Sequence, residues 1–476
     1  MKVLYIAGEA LPFASSGGLG DVIGSLPAAL KKGGDDVRVI MPLYGSIPDE
    51  YRRQMQYHFY TFIRLSWRNL YCGVFSLEYK GVTFYFLDNE YYFKRGRIYG
   101  EFDDGERFAF FCRAALEILP RIDFFPDILH AHDWHAALSV IYLKRCYSLI
   151  DERYSRIKAI FTIHNIQYQG IFGFEILGEV FGLMNFDREI VEFGNCINLL
   201  KGAIVCADAV TTVSPTYAKE ILTPEFSHGL HPILVTFGFK LYGILNGIDT
   251  EYNDPKTDKA LYANYSVRDM SGKKVCRDGL CRETGLPEDD RPVVAIVSRL
   301  VSHKGLDLVR FAGDEIMRND IKLVVLGMGD SLYEDYFRYM ESRYPDRCRA
   351  MITYDRALSK RVYSGADIFL MPSKSEPCGL AQMICSRYGA IPVIHETGGL
   401  YDSIRDVGCE GGGNGFTFGG YYAGELADAV NRAVGMYYHD REGFENLRKK
   451  VMRVDFSWKK SAKEYKELYE KIDKIF

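Results

Sequence analysis

Short apolar runs that alternate with helical patterns constrain this chain more than any other feature, because the same grammar recurs in both halves. In the second half, 293–297, 322–326, 349–353, 368–371 and 391–395 read as strands with helical periodicity between them. The first half repeats the pattern at 3–7, 37–41, 127–130, 159–163 and 209–213. Near-continuous aliphatic runs joined by helices imply parallel strands covered on both faces. The expected fold class is therefore α/β, with two Rossmann-like sheets. A strand restarts after a glycine around Tyr242-Gly243-Ile244, which places the domain break there and gives expected domains of 1–241, 242–454 and a closing segment 455–476. In the closing segment Tyr465, Leu468, Tyr469 and Ile472 fall at helical spacing. Two such sheets offer their strand carboxyl ends to a common cleft, where a ligand is expected.

Two loops at strand ends stand out. Ser375-Glu376-Pro377-Cys378-Gly379-Leu380-Ala381-Gln382 follows the strand 368–371, and Thr397-Gly398-Gly399-Leu400 follows the next one. The first sets an acidic side chain beside backbone amides at a helix start, able to hold sugar hydroxyls and phosphate oxygens. An ordinary helix-starting acid would look the same in isolation. Near the N-terminus, Ser15-Ser16-Gly17-Gly18-Leu19-Gly20-Asp21-Val22 leads from a strand, interrupted by Glu9 and Pro12, into a helix expected over 21–31. A dinucleotide fingerprint does not fit, because Ile23 stands where its last glycine belongs and the second strand ends in Met41-Pro42 rather than an acid.

Composition excludes several partners. The 476 residues carry a formal net charge of −4, which gives no reason to expect nucleic acid or an anionic membrane. No apolar run approaches the roughly 20 residues of a membrane helix. The N-terminal apolar stretch lacks the long core of a signal peptide and reads as the first strand. The eleven cysteines show no paired metal spacing, which suits reduced thiols in the cytoplasm.

Six motifs in order carry a family likeness: Gly17-Gly18-Leu19-Gly20-Asp21-Val22, His130-Ala131-His132-Asp133-Trp134-His135, Thr162-Ile163-His164-Asn165 through Gly170, Asn246-Gly247-Ile248-Asp249, Ser298-Arg299-Leu300 with His303-Lys304-Gly305, and the Glu376 segment. The chain resembles bacterial glycogen synthase and plant starch synthase along its whole length, with Asp455-Phe456-Ser457-Trp458 similar to the family's last signature. The resemblance implies the GT-B architecture, two Rossmann-like domains facing across a cleft. It also implies a retaining transfer of glucose from ADP-glucose to the non-reducing end of an α-1,4-glucan or maltooligosaccharide, with no cofactor and no metal.

The same resemblance assigns roles. Glu376 would hold the glucose 3-hydroxyl, with the amides of Cys378, Gly379 and Leu380 and the turn at Thr397 and Gly398 around sugar and phosphate. Arg299 and Lys304, a forked donor and a point charge, suit the diphosphate leaving group, although arginine and lysine in a turn are also ordinary surface residues. His164 and Asn165 would meet the glucose 6-hydroxyl; a lone histidine there would read as a core residue. Asp133 would be a second carboxylate near the acceptor, or else a helix cap. Asp21, Asn246 and Tyr354 would serve the nucleotide, with Tyr354 ending a strand and stacking on adenine. The abundant tyrosines, among them Tyr57, Tyr60, Tyr91 and Tyr99, suit sugar stacking or simple packing. Three histidines around Asp133 invite a zinc reading; the metal-free family and an expected alternation of strand residues to opposite faces argue against it.

Two positions depart from the family. Ser15 stands where a lysine is usual, and Ala381 where many members have threonine. These leave donor choice open, and with it a silent glucan- or nucleotide-binding protein or a GT-B enzyme with another donor. A glucan phosphorylase would instead need a lysine-bound pyridoxal phosphate. Glycogen versus starch as product, granule association and oligomeric state are not encoded in these motifs.

Overall fold

The computed structural model describes residues 1–474. The chain separates into two compact units, Met1–Gly247 together with the chain from Trp458 onward, and Ile248–Ser457.

The first unit contains β1 (Lys2–Ile6), β2 (Asp36–Pro42), β3 (Gln56–Leu65), β4 (Arg68–Tyr79), β5 (Val82–Asp88), β6 (Ile128–His132), β7 (Lys158–Ile163), the short β8 (Ile171–Phe172), β9 (Glu192–Phe193) and β10 (Cys196–Asn198), then β11 (Ala209–Thr212) and β12 (Leu241–Gly243). Nine of these form one sheet in the order β12-β11-β7-β6-β1-β2-β5-β4-β3, and β8, β10 and β9 form a small separate sheet. From β12 to β5 every pairing is parallel; β4 and β3 add antiparallel to the edge. Val3 to Ile6 are fully buried, as a central parallel strand requires. The second unit carries β13 (Val293–Val297), β14 (Lys322–Leu326), β15 (Cys348–Met351), β16 (Ile368–Met371), β17 (Ile391–His395) and β18 (Phe416–Phe418). Its order, β15-β14-β13-β16-β17-β18, is all parallel and follows the doubly wound 3-2-1-4-5-6 pattern.

Each sheet has a point where strand order reverses, between β1 and β6 in the first and between β13 and β16 in the second. Helices on the two faces diverge there, leaving a crevice outside the strand ends.

The structure corrects several expectations. The helix expected over 21–31 is two helices, Gly18–Ile23 and Leu26–Lys32. Pro27 lacks an N–H and is tolerated only in the first turn of a fresh helix, so the chain breaks ahead of it. The break expected before Tyr242 falls after Gly247, because Tyr242 pairs with Thr211 as the edge of the first sheet. Asp455 to Ser457 stay with the second unit, where Ile248 N–H donates to the Phe456 carbonyl at 2.8 Å. The closing helix, Trp458–Asp473, buries Tyr465, Leu468, Tyr469 and Ile472 in the first unit. There the Tyr469 hydroxyl meets Tyr5 Oη at 2.7 Å and His130 Nδ1 at 2.8 Å. No described helix is long and apolar enough to cross a membrane.

Candidate functional site

In the first unit the site residues cluster at the carboxyl ends of β1, β6 and β7. After β1 the chain forms the turn Ser15–Gly18, in which Ser16, Gly17 and Gly18 are exposed. Ser15, at the position of the family lysine, turns its Oγ to the Gly17 carbonyl at 3.1 Å, a bond internal to the turn. Asp21 lies in the first turn of the helix that follows. Behind the turn sits buried Glu9, whose Oε2 accepts from the Ser16 backbone N–H and from Ser16 Oγ. Burial pushes the Glu9 carboxyl up to about 7, against the pull of these bonds.

After β6, Asp133 opens the helix Asp133–Arg145 with φ 56°, a left-handed conformation that a non-glycine residue adopts only under constraint. Its carboxylate accepts from the His164 N–H at 2.8 Å, so the end of β6 is tied to the end of β7. Burial again dominates, pushing Asp133 to about 7, with the nearby Glu9 charge adding to it. His164 shares a hydrogen bond with His132, Nε2 to Nδ1 at 2.9 Å, and burial presses its imidazole down to about 3. Asn165 caps its own turn through Oδ1 to the Gln167 N–H. Asn246 is buried, and its Oδ1 has no hydrogen-bond partner among the described residues. A buried amide oxygen left unpaired is the kind of group a ligand satisfies.

The histidines need a correction. His130 and His132 are two residues apart on β6, so alternation puts them on the same face, with ring centroids 4.2 Å apart. Both His130 nitrogens are engaged within the fold, Nδ1 with Tyr469 and Nε2 with Thr162 at 2.5 Å, whereas His132 bonds His164 through Nδ1 and its buried Nε2 has no hydrogen-bond partner among the described residues. Among the described residues no group of three His, Cys, Asp or Glu side chains is arranged to hold a metal ion.

In the second unit the residues gather where β13, β16 and β17 end. Lys304 closes a short 3-10 turn after β13, and its Nζ lies 2.6 Å from Glu376 Oε2. Ser373 Oγ donates to the same oxygen at 3.0 Å. Sequence reading gave Lys304 and Glu376 to separate tasks, but the structure joins them. Gly305 makes the approach possible: at φ 72° a Cβ there would lie 1.8 Å from the Pro372 carbonyl. Gly398 does the same on the other side, where a Cβ would meet the Glu376 carbonyl at 2.0 Å. The Gly399 N–H then reaches the carbonyls of Glu376 and Pro377, each at 3.2 Å, which locks the two loops together. Thr397 and Cys378 are buried beside this contact, and Gln382 Nε2 holds the carbonyls of Cys378 and Gly379. Leu380 caps the helix Ala381–Arg387.

Arg299 is exposed after β13, and no ion pair of its guanidinium is found among the described residues. Burial first, then Lys304 and Arg299, press nearby His303 down to about 4, so the two cations share one positive neighbourhood. Tyr354 does not end a strand: β15 stops at Met351, and Tyr354 stands in the loop before the helix Arg356–Gly365, 73 % exposed. Arg356 Nε donates to its hydroxyl at 3.1 Å. Sequence reading did not single out Glu9, which the structure places behind the glycine turn. Its only signal was an acid interrupting the apolar approach to the glycine turn.

Known proteins resemble the chain over nearly its whole length. Residues 2–236 match the family model for the starch synthase catalytic domain, and 281–450 match glycosyl transferases group 1. A glycogen synthase of Anoxybacillus flavithermus is 45 % identical over 476 residues, covering 99 % of this chain and 98 % of its own. One of Desulforamulus reducens is 47 % identical, with 99 % of each chain covered. Among solved structures, the catalytic domain of starch synthase IV from Arabidopsis thaliana, bound to ADP and acarbose, superposes with TM-score 0.93 at 36 % identity, covering 99 % of both chains. The chain belongs to the glycogen and starch synthase family of glucosyltransferases, with the GT-B fold.

Proposed function

We propose that the chain transfers glucose from ADP-glucose to the non-reducing end of an α-1,4-glucan, with retention and without a metal or organic cofactor. The observation that carries this reading is the Lys304–Glu376 pair, braced by two glycine contacts at the switch point of the second sheet. It sets a cation for phosphate next to a carboxylate for sugar hydroxyls, and the starch synthase IV structure similar to this chain was solved with ADP and acarbose bound.

As the bond from anomeric carbon to phosphate breaks, negative charge grows on the departing diphosphate. Arg299 and Lys304 stabilise that charge, and Glu376 orients the glucose through its hydroxyls. Tyr354 gives an exposed ring for the adenine to stack on, and Asn246 an unpaired acceptor for the nucleotide side. His164, neutral across the working pH range, offers its backbone carbonyl and ring to the sugar without a competing charge. Asp133 holds the His164 amide and so fixes that turn. Front-face attack follows as the mechanism: the acceptor hydroxyl approaches from the side the diphosphate leaves, and the leaving phosphate takes the hydroxyl proton. Trapping a covalent glucosyl-enzyme would defeat it. Eleven free cysteines suit a reducing, cytoplasmic setting.

Because Ser15 adds no positive charge, donor identity is the point to test. Competition among ADP-, UDP- and GDP-glucose on a maltooligosaccharide should show ADP-glucose preferred, with chelators without effect. Preference for another nucleotide overturns the donor assignment.

A further inference from the structure

Glu9 takes no part in the roles above, yet it is built into the donor side of the first unit. It is 3 % exposed, three residues past β1. Its carboxylate accepts from the Ser16 N–H and, at 3.0 Å, from Ser16 Oγ, while the Gly20 N–H donates to the Gly17 carbonyl at 3.2 Å and closes the turn on itself. The exposed turn Ser16–Gly18 is thus tied from inside to the buried end of the central strand. The groups that face Glu9 are Asp21 on the helix Gly18–Ile23, Tyr44 after β2, Tyr99 ahead of the helix Asp104–Glu117, and Asp133. A buried acid among acids and phenols is costly to keep, and its hydrogen-bond partners among the described residues are the amide and hydroxyl of Ser16 in the turn. Ser15 spends its own hydroxyl within the turn, so the turn's shape, rather than a cation, is what it presents.

We propose that Glu9 is a positioning residue for the nucleotide sugar: its carboxylate holds the Ser15–Gly20 turn in the conformation that receives the donor. The inference rests on the reading of the chain as a nucleotide-sugar glucosyltransferase. Glu9 itself touches no substrate; it acts through Ser16 and the turn.

The test is steady-state kinetics of Glu9→Ala and Glu9→Gln in the full-length chain, varying donor and acceptor separately, with Tm recorded. Losing a charge-assisted anchor should raise the donor KM about tenfold to a hundredfold in Glu9→Ala. Glutamine keeps one neutral acceptor for the Ser16 N–H, so Glu9→Gln should raise it less, roughly threefold to tenfold. The glucan KM and kcat at saturating donor should stay near wild type, a split that a general packing defect does not produce. A donor KM within twofold of wild type in both variants, or donor and acceptor KM rising together, overturns the proposal. If Glu9→Ala does not fold, the same two criteria applied to Glu9→Gln decide. Wild-type protein that transfers no glucose from any nucleotide sugar would instead overturn the functional reading, which separates the two failures.

Discussion

Lys304→Met cuts the pair at the centre of the second unit's site and should cost both stability and nucleotide affinity. At 2.6 Å the gross attraction of Lys304 for Glu376 is ~6 kcal/mol for an effective dielectric near 20, most of it offset by desolvating both ions. Removing one partner of a buried pair typically costs about 3–5 kcal/mol because the other charge is stranded. Here the Lys304 side chain is 17 % exposed and Ser373 still donates to Glu376, so the cost falls to about 2 kcal/mol. For a unit of roughly 150–250 residues that is a Tm drop of ~4–8 °C. Glu376→Gln keeps shape and an acceptor, and should cost about 1 kcal/mol. The double variant should be less damaging than the sum by ~1–2 kcal/mol, since methionine and glutamine strand no charge. Thermal melts of the four proteins measure the cycle, and ADP titrations accompany it. Lys304→Met should weaken ADP by about one to two decades, whereas Glu376→Gln should leave ADP binding intact while lowering turnover by at least a decade. Additivity within about 0.5 kcal/mol would refute the pairing argument, and near-normal turnover of Glu376→Gln would show that another carboxylate holds the sugar.

Three further outcomes are expected. Arg299→Ala should weaken free ADP by about one to two decades with Tm unchanged, because the side chain is exposed and unpaired among the described residues; wild-type ADP affinity would remove it from the diphosphate. Ser15→Lys gives up a bond internal to the turn and should tighten ADP-glucose by at most one charge-assisted bond, while a null result in binding and rate would place residue 15 outside the phosphate subsite. Asp133 keeps its proton up to about 7 in the folded chain against an ordinary value of 3.8, so the native state binds more protons in between and this group's contribution to stability is lost as pH rises through that window. Asp133→Asn should therefore gain stability relative to wild type from about pH 4 to pH 7 and no further above it; a difference independent of pH would contradict the burial argument.

Most of the parallel strands were legible because their aliphatic runs are buried on both faces and leave no competing periodicity; β13, β14, β16 and β17 lie where the pattern put them, whereas the short parallel β18, Phe416–Phe418, was not singled out. The strands β3 to β5 were not. Tyr57, Tyr60 and Phe62 on β3 are about half exposed at the sheet edge, and an aromatic-rich, partly polar strand does not resemble an aliphatic run. Their turns were weakly signalled as well: Ser66 takes φ 56° between β3 and β4 without the usual glycine or asparagine. Within the site, the loops and their acids were visible as motifs. The Lys304–Glu376 contact was not, since it joins residues 72 apart through backbone packing at Gly305 and Gly398. Glu9 escaped for a similar reason, because its meaning lies in the Ser16 bonds and not in its neighbours along the chain.

The account is tested most directly by incubating the protein with radiolabelled ADP-glucose and glycogen, then digesting the polymer from its non-reducing ends. It predicts label in the polymer, released early as maltose by an enzyme specific for α-1,4 links. Label recovered only as free glucose, or no incorporation while ADP still binds, would contradict it.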